Sequence, residues 1–314
     1  MILKRLYLFL VITFYVCCST AIDLSLAMQP QLSALLDNMK LYKLDSEGNP
    51  SIHAGDIYEH SIWTYYAMVE LFETNSLYVQ GLHLSIREKE VVCLAALLHD
   101  IGKIGRKNLF DKTHPRLHYD IIKNDDGSIQ KIIYYQDHQE HTYISFKYAA
   151  QPLLRPNDPN IETCFCINQK TGQLYPFNIN LLYKELCLTI QEQQIFTILL
   201  GMHYEFGNLK HNKIEIPEFF QMLQNFVTIV NYNNGVIDEN ILRLSILIQV
   251  ADVKGLVPVI PRKTPLFPEE KFCCSVHPVK FDNPFQAFDY VSETSNGIQS
   301  MHKLMDYYKT TPPN

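Results

Sequence analysis

"CLAALLHDIGKIG", residues 93–105, reads as an apolar helix as far as Leu98 and then sets His99 and Asp100 side by side where the apolar face should continue. An imidazole and a carboxylate are costly to bury unless each finds a partner. Those partners have to come from elsewhere in the chain, so this stretch dictates how the rest is arranged. The surrounding segment "SIREKEVVCLAALLHDIGK" (85–103) predicts one helix that begins at a serine cap, Ser85, and ends at Gly102.

Working outward, the same oddity recurs on other helical segments. "GDIYEHSIWTYYAMVELFETN" (55–75) places Ile57, Trp63 or Thr64, Ala67 and Leu71 on one face, and His60 falls on that face. In "QEHTYISFKYAAQPLL" (139–154), His141, Ser145 and Ala149 share a face at four-residue spacing. "NINLLYKELCLTIQEQQIFTILLGMHYEF" (178–206) reads as two helices, with Leu199, Leu200 and His203 together near its end. "ENILRLSILIQVADVKG" (239–255) lines up Ile241, Ser245, Ile248 and Asp252. One histidine on an apolar face is ordinarily a satisfied core residue. Four histidines and two aspartates distributed over such faces are much harder to explain that way. A bundle that turns these faces inward gathers six ligand-bearing side chains, and imidazole with carboxylate suits divalent metals such as iron, manganese or zinc.

The order His60, the adjacent pair His99–Asp100 and a distant Asp252 resembles the H…HD…D pattern of the HD superfamily of metal-dependent phosphohydrolases. "GDIYEHS", "AALLHDIGK" and "QVADVKG" each resemble the family's local contexts, and the added histidines resemble the subset with extra ligands, in "HTYISFKYA" and "LLGMHYEFG". The resemblance spans roughly residues 28–256. It implies a mainly α fold, an HD-domain helical bundle with short β-hairpin insertions. It also implies an enzyme that cleaves a phosphate mono- or diester, a nucleotide or a related compound, by attack of a metal-bound hydroxide.

Under the same resemblance the cofactors are divalent metal ions, two of them, whose identity among iron, manganese, zinc and magnesium the residues do not distinguish. Asp100 would give one oxygen to each ion. His60, His99 and Asp252 would complete one site, and His141 and His203 the other. Lys103, one turn beyond the pair, would reach a substrate phosphate, making Asp100 and Lys103 the catalytic candidates.

The departures bear on the same residues. Tyr204 stands where the subset usually has a second histidine, and no Gly-Tyr-Pro follows His203. His138, three residues before His141, is the rival ligand. His53, His83, His114, His118 and His211 have no comparable context and read as surface or loop residues. Two alternatives remain open here: a mononuclear nucleotidase using only His60, His99, Asp100 and Asp252, and a catalytically silent metal- or nucleotide-binding module.

Between the helices, "LHYDIIKNDDGSIQKIIYY" (117–135) sets two apolar runs around "NDDG" and predicts a hairpin, and "CFCINQKTGQLYPF" (164–177) is a second candidate. "LVPVIPRKTPLFPEE" (256–270) carries four prolines and reads as a linker or a surface-wrapping loop. A further helix is expected from "NPFQAFDYV" onward, capped by Asn283 with Pro284 in the first turn.

The chain has 314 residues, 47% of them hydrophobic and 19% charged, the balance of a globular protein with a sizeable core. A net charge of -6 without a long Lys/Arg run argues against a nucleic-acid polymer as partner. A small phosphorylated substrate stays compatible, because bound metal supplies positive charge.

"MILKR", the uncharged "LYLFLVITFYVCC" and then "STA" have the layout of a signal peptide cleaved after Ala21. The apolar run is short for a stable membrane span, and Asp23 closes it. The expected organisation is therefore a signal peptide (1–21), the HD domain (28–256) and a C-terminal extension (257–314). The protein would be exported, to a periplasm or outside the cell, or cytoplasmic if the start is mis-assigned. Cys93, Cys164, Cys166, Cys187, Cys273 and Cys274 would remain after cleavage, as core or disulfide cysteines; their spacing fits no standard zinc finger. The oligomeric state cannot be read from the sequence.

Overall fold

The computed structural model describes residues 30–39, 42–43, 57–103, 118–123, 129–135, 138–156, 164–167, 174–177, 179–256 and 296–311. In chain order the elements are α1 (Pro30–Met39), β1 (Tyr42–Lys43), α2 (Ile57–Glu73) and α3 (Ile86–Leu98), followed by a 3₁₀ turn at His99–Lys103. The hairpin β2 (His118–Lys123) and β3 (Ile129–Tyr135) precedes α4 (His138–Leu154), and the hairpin β4 (Cys164–Ile167) and β5 (Leu174–Phe177) precedes α5 (Ile179–Glu185). Then come α6 (Ile190–Met202), α7 (Glu205–Lys210), α8 (Ile216–Ile229), α9 (Glu239–Lys254) and α10 (Asn296–Thr310).

Two of these helices are built alike. Ser85 and Thr189 each form a capping box with a glutamate three residues on, Glu88 and Glu192, which satisfies amide groups that the first turn leaves without helical partners. Each helix then runs 13 residues and ends on a histidine C-cap, His99 for α3 and His203 for α6. Arg87 in the first turn of α3 clamps Glu192 and the Cys187 carbonyl at the start of α6. With their starts pinned together, the two helices run side by side in one direction for about 20 Å. Their terminal histidine rings meet at a centroid separation of 5.0 Å.

Around this pair α2 packs on α3, α4 on α6, and α9 on α2, α3 and α6. The core is drawn from all of them: Trp63 and Tyr66 of α2, Leu94 and Leu97 of α3, Ala149 of α4, Phe196 and Leu199 of α6, and Leu244 and Leu247 of α9 are all buried. Three helices, α1, α7 and α8, are additional to the helical segments expected from the sequence. In α1, Leu32, Leu35, Leu36 and Met39 recur at helical spacing and are buried; in α8, Pro217 enters the first turn and Phe219, Phe220, Leu223 and Val227 face inward. Both signals were present as periodicity.

The hairpins expected at 117–135 and 164–177 are both formed. β2 pairs antiparallel with β3 and shifts register at Ile122/Lys123, β4 pairs antiparallel with β5, and β1 adds in parallel to β3.

One element differs from the sequence expectation. The α-helix of 86–98 stops at Leu98 instead of running to Gly102. The His99 ring donates Nδ1–H to the carbonyl of Ala96 at 2.8 Å, so a side chain claims an acceptor at the helix end and the backbone tightens into a 3₁₀ turn.

Residues 1–29, which include the expected signal peptide, nearly all of 256–270 and the expected cap at Asn283–Pro284 lie outside the described residues. The described C-terminal helix, α10, buries Ile298, Met301, Leu304 and Met305 in the same core. Among the described residues Cys93 and Cys187 are free thiols, and no helix is long and apolar enough to cross a membrane.

Trp63 is the sole tryptophan of the chain and is 1% exposed, so its emission should shift to longer wavelength on unfolding. Leu94→Ala removes a fully buried side chain, and urea titration followed through Trp63 should show a loss of about 2–5 kcal/mol with an unchanged slope.

Candidate metal centre

Five helices and the 3₁₀ turn deliver six side chains to one buried place. They are His60 from α2, His99 from the end of α3, Asp100 from the turn, His141 from α4, His203 from the end of α6 and Asp252 from α9. Each is less than a tenth exposed.

The six form two groups of three: His60, His99 and Asp252 in one, Asp100, His141 and His203 in the other. In the first, His60 Nε2 lies 2.9 Å from Asp252 Oδ1 and 3.1 Å from His99 Nε2, with His99 Nε2 3.3 Å from the same oxygen. In the second, the Nε2 atoms of His141 and His203 are 3.0 Å apart, and His141 Nε2 is 3.2 Å from Asp100 Oδ1. Asp100 also faces the first group, its Oδ2 standing 3.5 Å from His99 Nε2 and 3.9 Å from His60 Nε2. One carboxylate therefore forms the wall between the two.

Counting protons tests whether a metal fits. His60 donates Nδ1–H to the Gly255 carbonyl at 3.2 Å, His99 to Ala96 at 2.8 Å and His203 to Leu200 at 2.7 Å. In a neutral ring the other nitrogen, Nε2, is then a bare acceptor. With both rings neutral, the first group would bring two imidazole lone pairs and a carboxylate oxygen together with no proton among them, so a proton or a metal ion has to sit between them. That donor set repels itself until a cation enters, and it is the set that borderline divalent metals take.

The electrostatics agree. Burial holds the His203 ring well below its ordinary value, and the neighbouring His141 and His99 push it further, which keeps Nε2 unprotonated. Burial alone would raise the Asp252 carboxyl. His99 and His60 outweigh it and hold the group well below the usual carboxylate range, so it is ionised.

Two supports escaped the sequence reading. The Gly255 carbonyl reaches His60 because α9 ends almost in contact with α2; a Cβ on Gly255 would sit 2.4 Å from Thr64 Oγ1 and 2.6 Å from the Thr64 amide nitrogen. Gln249, three residues before Asp252 on α9, donates to Asp252 Oδ2 at 3.4 Å and accepts from the Gly207 amide at 3.4 Å, tying the carboxylate to α7. The position one turn before an aspartate was the available signal for Gln249. For Gly255 the sequence carried none beyond its place at a helix end.

The remaining candidates divide. His141 lies in the second group, while the side chain of its rival His138 is outside the described residues. Lys103 ends the 3₁₀ turn that carries Asp100, and its side chain is likewise outside them. Tyr204 begins the segment into α7 and is half-buried; His83 and His211 are exposed.

A family model described as HD domain matches residues 57–165, the span that holds His60, His99, Asp100 and His141. Over that span the chain matches the HD domain. His203 and Asp252 lie beyond the matched span, yet the fold brings both to the HD residues. Comparison with curated proteins and with solved structures gives no significant match.

Gly255→Ala should force α9 away from α2 and free the His60 ring. Metal affinity at the His60 group should fall by about 10–100-fold, measured by equilibrium dialysis with elemental analysis. Chelation of bound metal should lower the melting temperature, since an ion held at 100 times its dissociation constant contributes about 2.7 kcal/mol to the folded state.

Proposed function

We propose that this HD domain is a metal-dependent phosphohydrolase that cleaves a phosphate mono- or diester using two divalent ions. The observation that carries the reading is Asp100, whose two oxygens face separate three-residue groups from the floor of one buried centre. Divalent ions bound there supply Lewis acidity toward phosphate oxygens and a water acidified toward neutral pH.

The chain's own residues set the conditions for that chemistry. Backbone carbonyls fix three histidine tautomers so that Nε2 is presented as a ligand. Histidines bind metal as neutral imidazoles, so in the loaded centre the protein's charge would rest on two carboxylates. Two negative charges against the four positive charges of two divalent ions leave an excess that attracts a phosphate anion; with a single ion the charges cancel. We assign Lys103, at the end of the turn bearing Asp100, to the substrate phosphate, where an ammonium adds to this field.

Purification followed by elemental analysis should find two metal equivalents per chain. A panel of nucleotides, cyclic dinucleotides and simple phosphate esters should contain a hydrolysed member. Asp100→Ala should lose bound metal and all turnover, and the reading fails if that variant keeps both. One ion per chain would instead support the mononuclear nucleotidase. Lys103→Ala should retain both ions and lose activity on the order of 10²-fold. The N-terminal layout supports export, for which a mature chain beginning at Ile22 is the expected result of N-terminal sequencing.

A further inference from the structure

Ser145 lies on α4 one helical turn beyond His141 and is fully buried. Its hydroxyl makes two hydrogen bonds to the 3₁₀ turn: it accepts the Gly102 amide at 2.8 Å and donates to the His99 carbonyl at 2.8 Å. The residues between those two backbone groups are Asp100 and Ile101, so one hydroxyl brackets the peptide frame from which the Asp100 carboxylate projects. The contact is close: a Cβ on Gly102 would fall 2.2 Å from the His141 carbonyl and 2.7 Å from Ser145 Oγ. Glycine at 102 is what lets the turn lie against α4 at the level of His141.

The two metal groups depend unequally on this frame. The group of His60, His99 and Asp252 has a carboxylate of its own from α9. Among the described residues the group of His141 and His203 has no carboxylate but Asp100, reached at 3.2 Å from His141 Nε2. We propose that Ser145 is a positioning residue for Asp100, which it holds through the backbone of the turn at the distance the His141 group requires. The proposal rests on the two-ion reading above and adds to it the device that keeps the second ion.

The test is Mn²⁺ titration of the full chain, with ions counted by elemental analysis and the exchange-coupled pair followed by electron paramagnetic resonance. Two variants are compared with the unsubstituted protein: Ser145→Ala, and Ser145→Cys as a control of similar size whose thiol hydrogen-bonds weakly. The expected result is that both variants bind the first ion within about threefold of the parent, bind the second at least tenfold more weakly and lose the coupled signal, with the fold intact by circular dichroism.

Unchanged binding of both ions in either variant overturns the proposal, because the hydroxyl would then be dispensable. Equal weakening of both ions also overturns it, as would loss in the alanine variant alone, since these mark general damage or lost volume. If Ser145→Ala does not fold, Ser145→Cys decides by the same criteria. If neither folds, Ser145 is a folding residue and the proposal is overturned. A parent protein that binds fewer than two ions overturns the two-ion reading itself, an outcome separable from any result with the variants.

Discussion

A carboxylate held away from water is the constraint around which this bundle is arranged. Asp100 is 1% exposed, and an ionised group at that depth is tolerated only with compensating charge or hydrogen bonds. Its neighbours are imidazole nitrogens, and those whose tautomers the backbone sets turn lone pairs toward it. Such a centre is a poor way to stabilise a core by itself and a good way to hold cations. The helices around it therefore position donors as well as bury apolar surface.

The positioning uses ordinary helix chemistry. Two helices of equal length start from matching capping boxes, are pinned at their starts by Arg87 and Glu192, and end on histidine caps whose rings meet edge to face. Because an α-helix has a fixed rise per residue, aligning the starts aligns the ends. Glu192 serves both its own capping box and the arginine, so local helix initiation and tertiary register share one side chain. Ligands from α2, α4 and α9 then close around a pair whose relative height is already set.

Much of this was readable beforehand. His60, His99, His141, His203 and Asp252 were recognisable because each interrupts an apolar face, and a buried polar group at such a position demands a reason. The capped start of α3 and both hairpins followed from local patterns that operate within a few residues. The end of α3 was misplaced, because glycine is a common stop signal whereas the actual stop is a side-chain hydrogen bond made by His99 to its own helix. Helices α1 and α8 have the same apolar spacing, with no metal-ligating residue interrupting their buried faces.

By itself the sequence determined which residues are odd in their settings, that they lie on separate helices, and that imidazole and carboxylate together favour a divalent metal. Those properties belong to residue type and helical period. The resemblance implied the division of the six into two groups about Asp100; only the tertiary structure set the distances within each group and brought Gly255, Gln249 and Ser145 behind the ligands. The reason is physical. Spacing along a helix specifies a face, but grouping depends on distances of 3–4 Å between atoms some 40 to 195 positions apart in the chain, and only packing sets those.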